Sequence, residues 1–318
     1  MSPSVQSTSA PDPARLEPAD WPSLWRQILQ GRATASGPAG DAPLLTPTTN
    51  HGWHLTGAPS GASADLFALY KPLLDARFAQ AGHAGAASWV LAQLGQSLDG
   101  CVATSTGDSC FVTGAQSLLH LHRLRALCDA VLVGAGTVAA DNPQLTTRRV
   151  PGPHPVRVVL DPRARLDGKA RVFRDGQAPT LWLCDARHAA EARTRLELGV
   201  PSGATGAEVL AVDGLLDTDD LERGHHPARA IAALAARGLR IVFVEGGGIT
   251  VSSFLAAGVL DRLHLIVAPV LIGDGRRGLR GPPCAVMAMC PRPPARTLAL
   301  GEDVLWDLDL RATPAPRR

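Results

Sequence analysis

From residue 88 onward the chain alternates short apolar runs with helix-like segments, and this alternation limits what it can fold into. The runs are WVLAQLG (89–95), AVLVGAG (130–136), VRVVLD (156–161), TLWLCD (180–185), RIVFVEGGG (240–248) and RLHLIVAPVLIG (262–273). Between them lie helical stretches such as LLHLHRLRALC (118–128) and AIAALAARG (230–238). Short β-branched runs separated by helices predict an α/β domain around a largely parallel sheet. Several runs end in glycine or a carboxylate, and ligands of such sheets bind just beyond the carboxyl ends of the strands. Residues 186–227, polar and with an acidic cluster, read as a surface excursion.

Residues 1–87 are different. Ten of the 26 prolines fall before residue 87, among many glycines, serines and alanines. Only WPSLWRQIL (21–29) and LFALYKPLLDARF (66–78) have the pattern for a helical turn or two. The expectation is an irregular N-terminal extension, packed partly on a main domain at 88–318.

Composition narrows the function classes. The 31 basic and 29 acidic residues leave a net charge of +2, with no basic excess to neutralise a nucleic-acid backbone. Aromatics are 4% of the chain, too few for a base-stacking platform. Only Lys71 and Lys169 are lysines, so phosphate or carboxylate ligands fall to arginine, whose planar fork suits bidentate contact. The six cysteines have no C-x-x-C spacing, which fits free thiols in a reducing cytoplasm. The longest apolar stretch is interrupted by His264 and Pro269 and is about half the ~20 residues that cross a bilayer. A cytoplasmic protein with no membrane and no nucleic-acid partner is expected.

Three segments carry chemistry. In VFVEGGGITVSSFL (242–255) a buried strand delivers Glu245 to its end, and the glycines open a helix whose unpaired N–H groups suit an anion. Tight strand-to-helix turns also explain such glycines. A carboxylate ending a buried strand, however, needs a partner or a ligand. In VGAGTVAADNPQLTTR (133–148) another strand ends at glycine, followed by Thr137, Asp141 and Arg148. The Asp-Asn-Pro step is a turn by its own chemistry, and the dinucleotide fingerprint G-x-G-x-x-G is absent, so any nicotinamide nucleotide binds in another mode. In QLGQSLDGCVATSTGDSCFVTG (93–114) a strand runs into Asp99 and a second turn carries Asp108 and Ser109.

Together SLDG (97–100), HRLRALCDAVLVGAGTVAADNPQLTTR (122–148), PVRVVLD (155–161) and VEGGGITVSSFLAAGVLDRLHLIVAPVLIG (244–273) resemble the riboflavin-biosynthesis reductase family, the RibD C-terminal domain, which has a dihydrofolate-reductase-like fold. The resemblance implies a mixed, mostly parallel sheet flanked by helices. It also implies an NADPH-dependent reduction of a pyrimidine ribosylamine 5′-phosphate to the ribityl compound, in a homodimer. Carried over by position, it implies cofactor contacts at Gly95, Phe111, Thr137, Asp141, Pro162, Gly247, Gly248, Ile249, Thr250, Val251, Ser252 and Ser253. Substrate contacts are implied at Ser109, Arg125, Leu145, Arg148 and Glu245, with Arg125 and Arg148 as phosphate holders. Arg163 and Arg165 are candidates for the cofactor 2′-phosphate, or else two solvated loop arginines.

Cys101 departs from the family, which usually has a basic residue after SLDG, and Phe111 stands where an indole is frequent. No H-x-E followed by P-C-x-x-C occurs, so zinc deaminase chemistry is not expected and no metal is implied. His120 and His122, two apart on a helix, point in different directions and form no chelating pair. Asp99, His120 and Ser109 lack the nucleophile elbow of a hydrolase. The reaction needs alignment, water exclusion and one proton, and Glu245 or Asp99 could position a hydroxyl or supply that proton. The strand-rich LHLIVAPVLIG is expected to pair across the dimer interface. Two other functions stay open: reduction of a related pyrimidine or pterin-like compound, and a non-catalytic nucleotide-binding regulatory module.

Overall fold

The computed structural model describes residues 17–33, 43–48, 52–81, 86–109, 112–199, 206–216, 224–281 and 283–312. The chain opens with α1 (Trp21–Ala33), a hairpin of β1 (Leu45–Thr48) and β2 (Gly52–Leu55), and α2 (Gly61–Gln80). There follow β3 (Trp89–Ser97), β4 (Cys101–Ala103), α3 (Ala115–Leu127), β5 (Ala130–Gly134), α4 (Ala135–Asp141), β6 (Val156–Leu160), α5 (Arg171–Arg174) and β7 (Thr180–Asp185). Then come α6 (Ala189–Gly199), β8 (Ala207–Val212), α7 (Pro227–Ala236), β9 (Ile241–Glu245), α8 (Gly248–Ala256) and β10 (Arg262–Ala268). The chain closes with β11 (Arg276–Arg277), β12 (Ala295–Leu300) and β13 (Asp303–Asp309).

Nine strands form the central sheet in the order β12-β13-β10-β3-β9-β5-β6-β7-β8. Those from β10 to β8 are parallel, and β13 and β12 add antiparallel at one edge. This is the mixed, mostly parallel sheet that the run pattern predicts. Alternate residues feed opposite faces: Leu91, Val131 and Phe243 join one core, while Ala92, Leu132 and Val244 join the other. Both faces being apolar, both need a covering layer.

The extension supplies much of the first layer. Trp21, Leu24, Trp25 and Ile28 of α1 and Phe67, Tyr70, Leu73 and Leu74 of α2 are buried in the same core as Leu91, Val131 and Phe243. Its helices are therefore far longer than the one or two turns expected from the sequence. Pro72 sits inside α2 and removes the hydrogen bond that the Ala68 carbonyl would have accepted. The Arg296 guanidinium of β12 donates to that carbonyl instead. The stretch expected to be a surface excursion also joins the fold: it holds α6 and the edge strand β8.

A buried polar relay ties the extension to the sheet. The Tyr70 hydroxyl lies 2.8 Å from His120 Nδ1, and His120 Nε2 lies 2.9 Å from His264 Nδ1. His264 Nε2 stands 3.3 Å from Asp307 Oδ1, a close polar contact with poor hydrogen-bond alignment. Burial pushes the Asp307 carboxyl up, but His264 and Arg262 outweigh it and hold it well below the usual range. A chain ending on an ionised carboxylate orders its donors toward it, which places the proton on Nε2 of both histidines. Burial keeps both rings neutral by lowering their pKa, most strongly at His120.

His122, on the same helix, is lowered to about 3, by burial first and then by the charges of Arg125, Arg148 and Arg149. Three histidines that stay neutral when folded take up protons when the chain unfolds below about pH 6.5. Stability is therefore present above that pH and is lost as pH falls toward the folded values, by up to ~1.4 kcal/mol per pH unit for each histidine. Thermal unfolding should show a Tm that declines from pH 7.5 to pH 5; a Tm that is flat or rises over that interval contradicts the assignment.

Candidate active site

The carboxyl ends of β3, β9, β5 and β6 lie side by side in the sheet, and the segments that follow them build the site. Glu245 is the last residue of β9. Its two oxygens accept from Arg125 of α3, Nε to Oε2 at 2.8 Å and Nη2 to Oε1 at 2.5 Å. Arg125 Nη1 donates to the Thr146 carbonyl at 3.0 Å. The Glu245 side chain keeps 14% of its surface and that of Arg125 only 5%. The fork expected to grip phosphate is thus engaged by Glu245 and closed off from solvent. In this arrangement Arg125 orients the Glu245 carboxylate.

Arg148 stands beside this pair with an exposed side chain. Its backbone N–H donates to His122 Nδ1 at 3.2 Å and its Nη1 to the Thr146 carbonyl at 3.3 Å, while the side chain reaches the surface. Partial burial and the nearby charges of Arg125 and Arg149 lower its pKa, with Glu245 opposing. An arginine made uncomfortable by like charges favours an anion beside it. His122, read from the sequence as an ordinary histidine, is what fixes the backbone under Arg148.

The turn after β9 starts α8. Gly246 has φ +116°, open to glycine but strained for other residues, and Gly247 caps the helix with no side-chain acceptor. The Gly247 N–H donates to Thr137 Oγ1 at 3.3 Å, which joins this turn to α4. Ile249 is 70% exposed. The remaining expected cofactor contacts face inward. A Cβ on Gly248 would stand 2.1 Å from the Gly278 carbonyl oxygen, so that glycine serves a backbone crossing. Thr250 packs under Gly134, Val251 lies in the core, Ser252 Oγ accepts from the Arg280 N–H at 2.7 Å, and Ser253 Oγ lies 3.4 Å from His225 Nε2.

Other candidates divide in the same way. Asp99 Oδ2 accepts from the N–H groups of Ile272 at 3.1 Å and Gly273 at 2.6 Å, and the Ser97 hydroxyl donates to Oδ1. The Ser97 bond and those N–H groups hold its pKa down at about 2. Asp99 so held latches the turn after β3 to the segment after β10. Leu145 has φ +57° and its side chain is buried in the core, so only its backbone can meet a ligand. Gly95 is half-buried, and a Cβ there would meet Thr113 at 2.6 Å. Ser109, Asp141, Arg163 and Arg165 are exposed, and Pro162 is half-buried past the end of β6. Asp141 is raised by burial, with the charge of Arg276 pulling against it. Phe111 lies outside the described residues.

One element escaped the sequence reading. Residues 273–280 strap the site: Gly278 N–H donates to the Gly100 carbonyl at 2.9 Å, Arg277 Nη1 to the Asp99 carbonyl at 3.2 Å, and β11 pairs antiparallel with β4. The signal was GDGRRGLRG, with three arginines among four glycines next to a strand end. Among the described residues no group of three or more His, Cys, Asp or Glu could hold a metal, and no helix is long and apolar enough to cross a membrane.

Residues 88–290 match the family described as RibD C-terminal domain. The chain is 38% identical over 186 residues to the riboflavin biosynthesis protein RibD of Bacillus amyloliquefaciens, covering 58% of this chain and 46% of that protein. It is 34% identical over 233 residues to the 2,5-diamino-6-ribosylamino-4(3H)-pyrimidinone 5′-phosphate reductase of Methanothermobacter thermautotrophicus, covering 70% of this chain and 98% of that one. The chain thus spans about half the length of the first relative and nearly all of the second. The solved structure of a diaminohydroxyphosphoribosylaminopyrimidine deaminase/5-amino-6-(5-phosphoribosylamino)uracil reductase from Thermotoga maritima superposes with a TM-score of 0.56 at 24% identity, over 78% of this chain and 62% of that one, which shows a shared fold. Since the matched stretch takes in every parallel strand that builds the site, the chain belongs to the RibD C-terminal domain family.

Proposed function

We propose that the protein is an NADPH-dependent reductase that converts a pyrimidine ribosylamine 5′-phosphate to its ribityl counterpart, in the manner of riboflavin biosynthesis. The observation that carries this reading is Glu245, presented at a strand end by the buried fork of Arg125 beside the uncapped first turn of α8 and the exposed Arg148. The relatives' names, riboflavin biosynthesis protein RibD and a ribosylamino-pyrimidinone 5′-phosphate reductase, support the substrate class.

The residues present suit a nicotinamide dinucleotide. An open helix start next to Gly246 and Gly247 fits a pyrophosphate. Thr137 borders the same turn, Asp141 ends the helix that carries Thr137, and Arg163 and Arg165 stand beyond β6, exposed and suited to a 2′-phosphate. When bound, the cofactor supplies the hydride. The chain's own part is alignment. Glu245 accepts a hydrogen bond from a hydroxyl of the opened ribose, and Arg125 keeps that carboxylate from turning away. Arg148 grips the 5′-phosphate, so the former anomeric carbon is held at a fixed distance from the carboxylate. The strap and the turn after β3, latched by Asp99, shield this edge from water.

Pairing of β10 across a dimer interface is ruled out within the sheet, because β3 and β13 occupy both of its edges. The homodimer instead uses the outer face of the same strands. Trp306, 44% exposed, and Val304 lie beside Leu265 and Val267 on one face, an apolar patch suited to a second copy. The free buried thiols of Cys101, Cys128 and Cys184 accord with a cytoplasmic enzyme.

Turnover of the phosphorylated pyrimidine with NADPH tests the reading directly, and absence of any NADPH binding by nicotinamide fluorescence would sink it. Arg148→Ala should raise the substrate KM by about a hundredfold, as expected for loss of a partly desolvated charge pair; a wild-type KM removes Arg148 from the site. Light scattering should give the wild type a dimer mass and Trp306→Glu a monomer mass, whereas a wild-type monomer contradicts the interface.

A further inference from the structure

With Arg125 engaged by Glu245, the cleft needs another guanidinium to share its anionic ligands with Arg148, and the strap holds one in place. Residues 273–280 are pinned at several points: Arg276 pairs with Ala103, Gly278 N–H donates to the Gly100 carbonyl, Arg277 reaches the Asp99 carbonyl, and the Arg280 N–H reaches Ser252 of α8. The Gly278 carbonyl also lies against Gly248, at the start of α8. The backbone of Arg276 is therefore fixed between the turn after β3 and the open first turn of α8.

Its side chain lies over a glycine. The guanidinium covers Gly107, where a Cβ would stand 2.7 Å from Nη2 and 2.9 Å from Cζ. Gly107 has φ +99°, so the 104–109 loop offers Arg276 a flat seat that other residues would block. The charge of Arg276 acts on Asp141 at the end of α4, yet among the described residues neither a carboxylate pairs with its guanidinium nor an acceptor hydrogen-bonds to it. A guanidinium seated over a glycine, with its donors unengaged among the described residues, is arranged for a ligand that arrives from solution.

Resting on the reductase reading above, we propose that Arg276 is a binding residue of the cleft that grips a phosphate group, carried by the dinucleotide or by the pyrimidine substrate. The carboxylate of Asp141 repels the same anion and so confines it to the Arg276 side, leaving Asp141 for a ribose hydroxyl. The strap thereby contributes a basic contact opposite Ala103, two residues beyond Cys101 on β4.

Equilibrium titration of the full chain with NADPH, NADH and ribose 5-phosphate tests this without relying on turnover. Arg276→Gln should weaken one or more of these ligands by at least about tenfold, with Arg276→Lys recovering part of the loss. Weakening of NADPH alone assigns the 2′-phosphate, equal weakening of NADPH and NADH assigns the pyrophosphate, and weakening of ribose 5-phosphate assigns the substrate. Gly107→Ala, which adds a methyl group under the guanidinium, should weaken the same ligand. If the wild type binds these ligands and Arg276→Gln binds all three as tightly, the proposal falls and the reductase reading stands; if the wild type binds none of them, both fall.

Discussion

The buried pair of Arg125 and Glu245 is the interaction around which the site is organised. It joins the last turn of α3 to the end of β9 and, through the Thr146 carbonyl, to the segment that presents Arg148. A carboxylate ending a parallel strand is costly to bury alone. A bidentate arginine offsets that cost and also fixes the direction in which the oxygens point. Removing either partner would leave the other charge buried and unpaired, which is why such a pair fixes geometry more than it adds stability. The exposed edge of Glu245 is the part left for a ligand.

Around this pair the sheet imposes a second constraint. Strands apolar on both faces need two covers, and α7 and α8 cover one face while α1, α2 and α3 cover much of the other. The extension is therefore a structural layer, held by the Trp21, Trp25 and Tyr70 rings with centroids about 6 Å apart and by the relay running from Tyr70 to Asp307. The site itself draws on none of these residues, so the layer acts by keeping α3, and with it Arg125, seated on the sheet.

Much of this was legible in the sequence because it depends on local pattern. Unbroken apolar runs between helices predicted the parallel sheet, and the strand-end rule led to Glu245 and the turn at Gly246 before any resemblance was considered. What the sequence hid depends on partners far apart in the chain. The pairing of Arg125 with Glu245, 120 residues away, is one such contact. Val251 and Ser253 sit in a glycine-rich motif but turn inward because α8 must pack on the sheet. The length of α2 was masked by Pro72, whose broken hydrogen bond is repaired by Arg296 from the far end of the chain. The strap drew no notice in the sequence because most of its anchors involve backbone groups, which leave no mark there.

If Arg125 orients Glu245 and does not touch the substrate phosphate, the two roles separate in the steady state. The decisive measurement is the kinetics of Arg125→Lys, which keeps the charge but loses the bidentate fork. The expected result is a kcat reduced by at least about tenfold with a substrate KM within about threefold of wild type. A KM raised by about a hundredfold with kcat intact would place Arg125 on the phosphate and contradict this account.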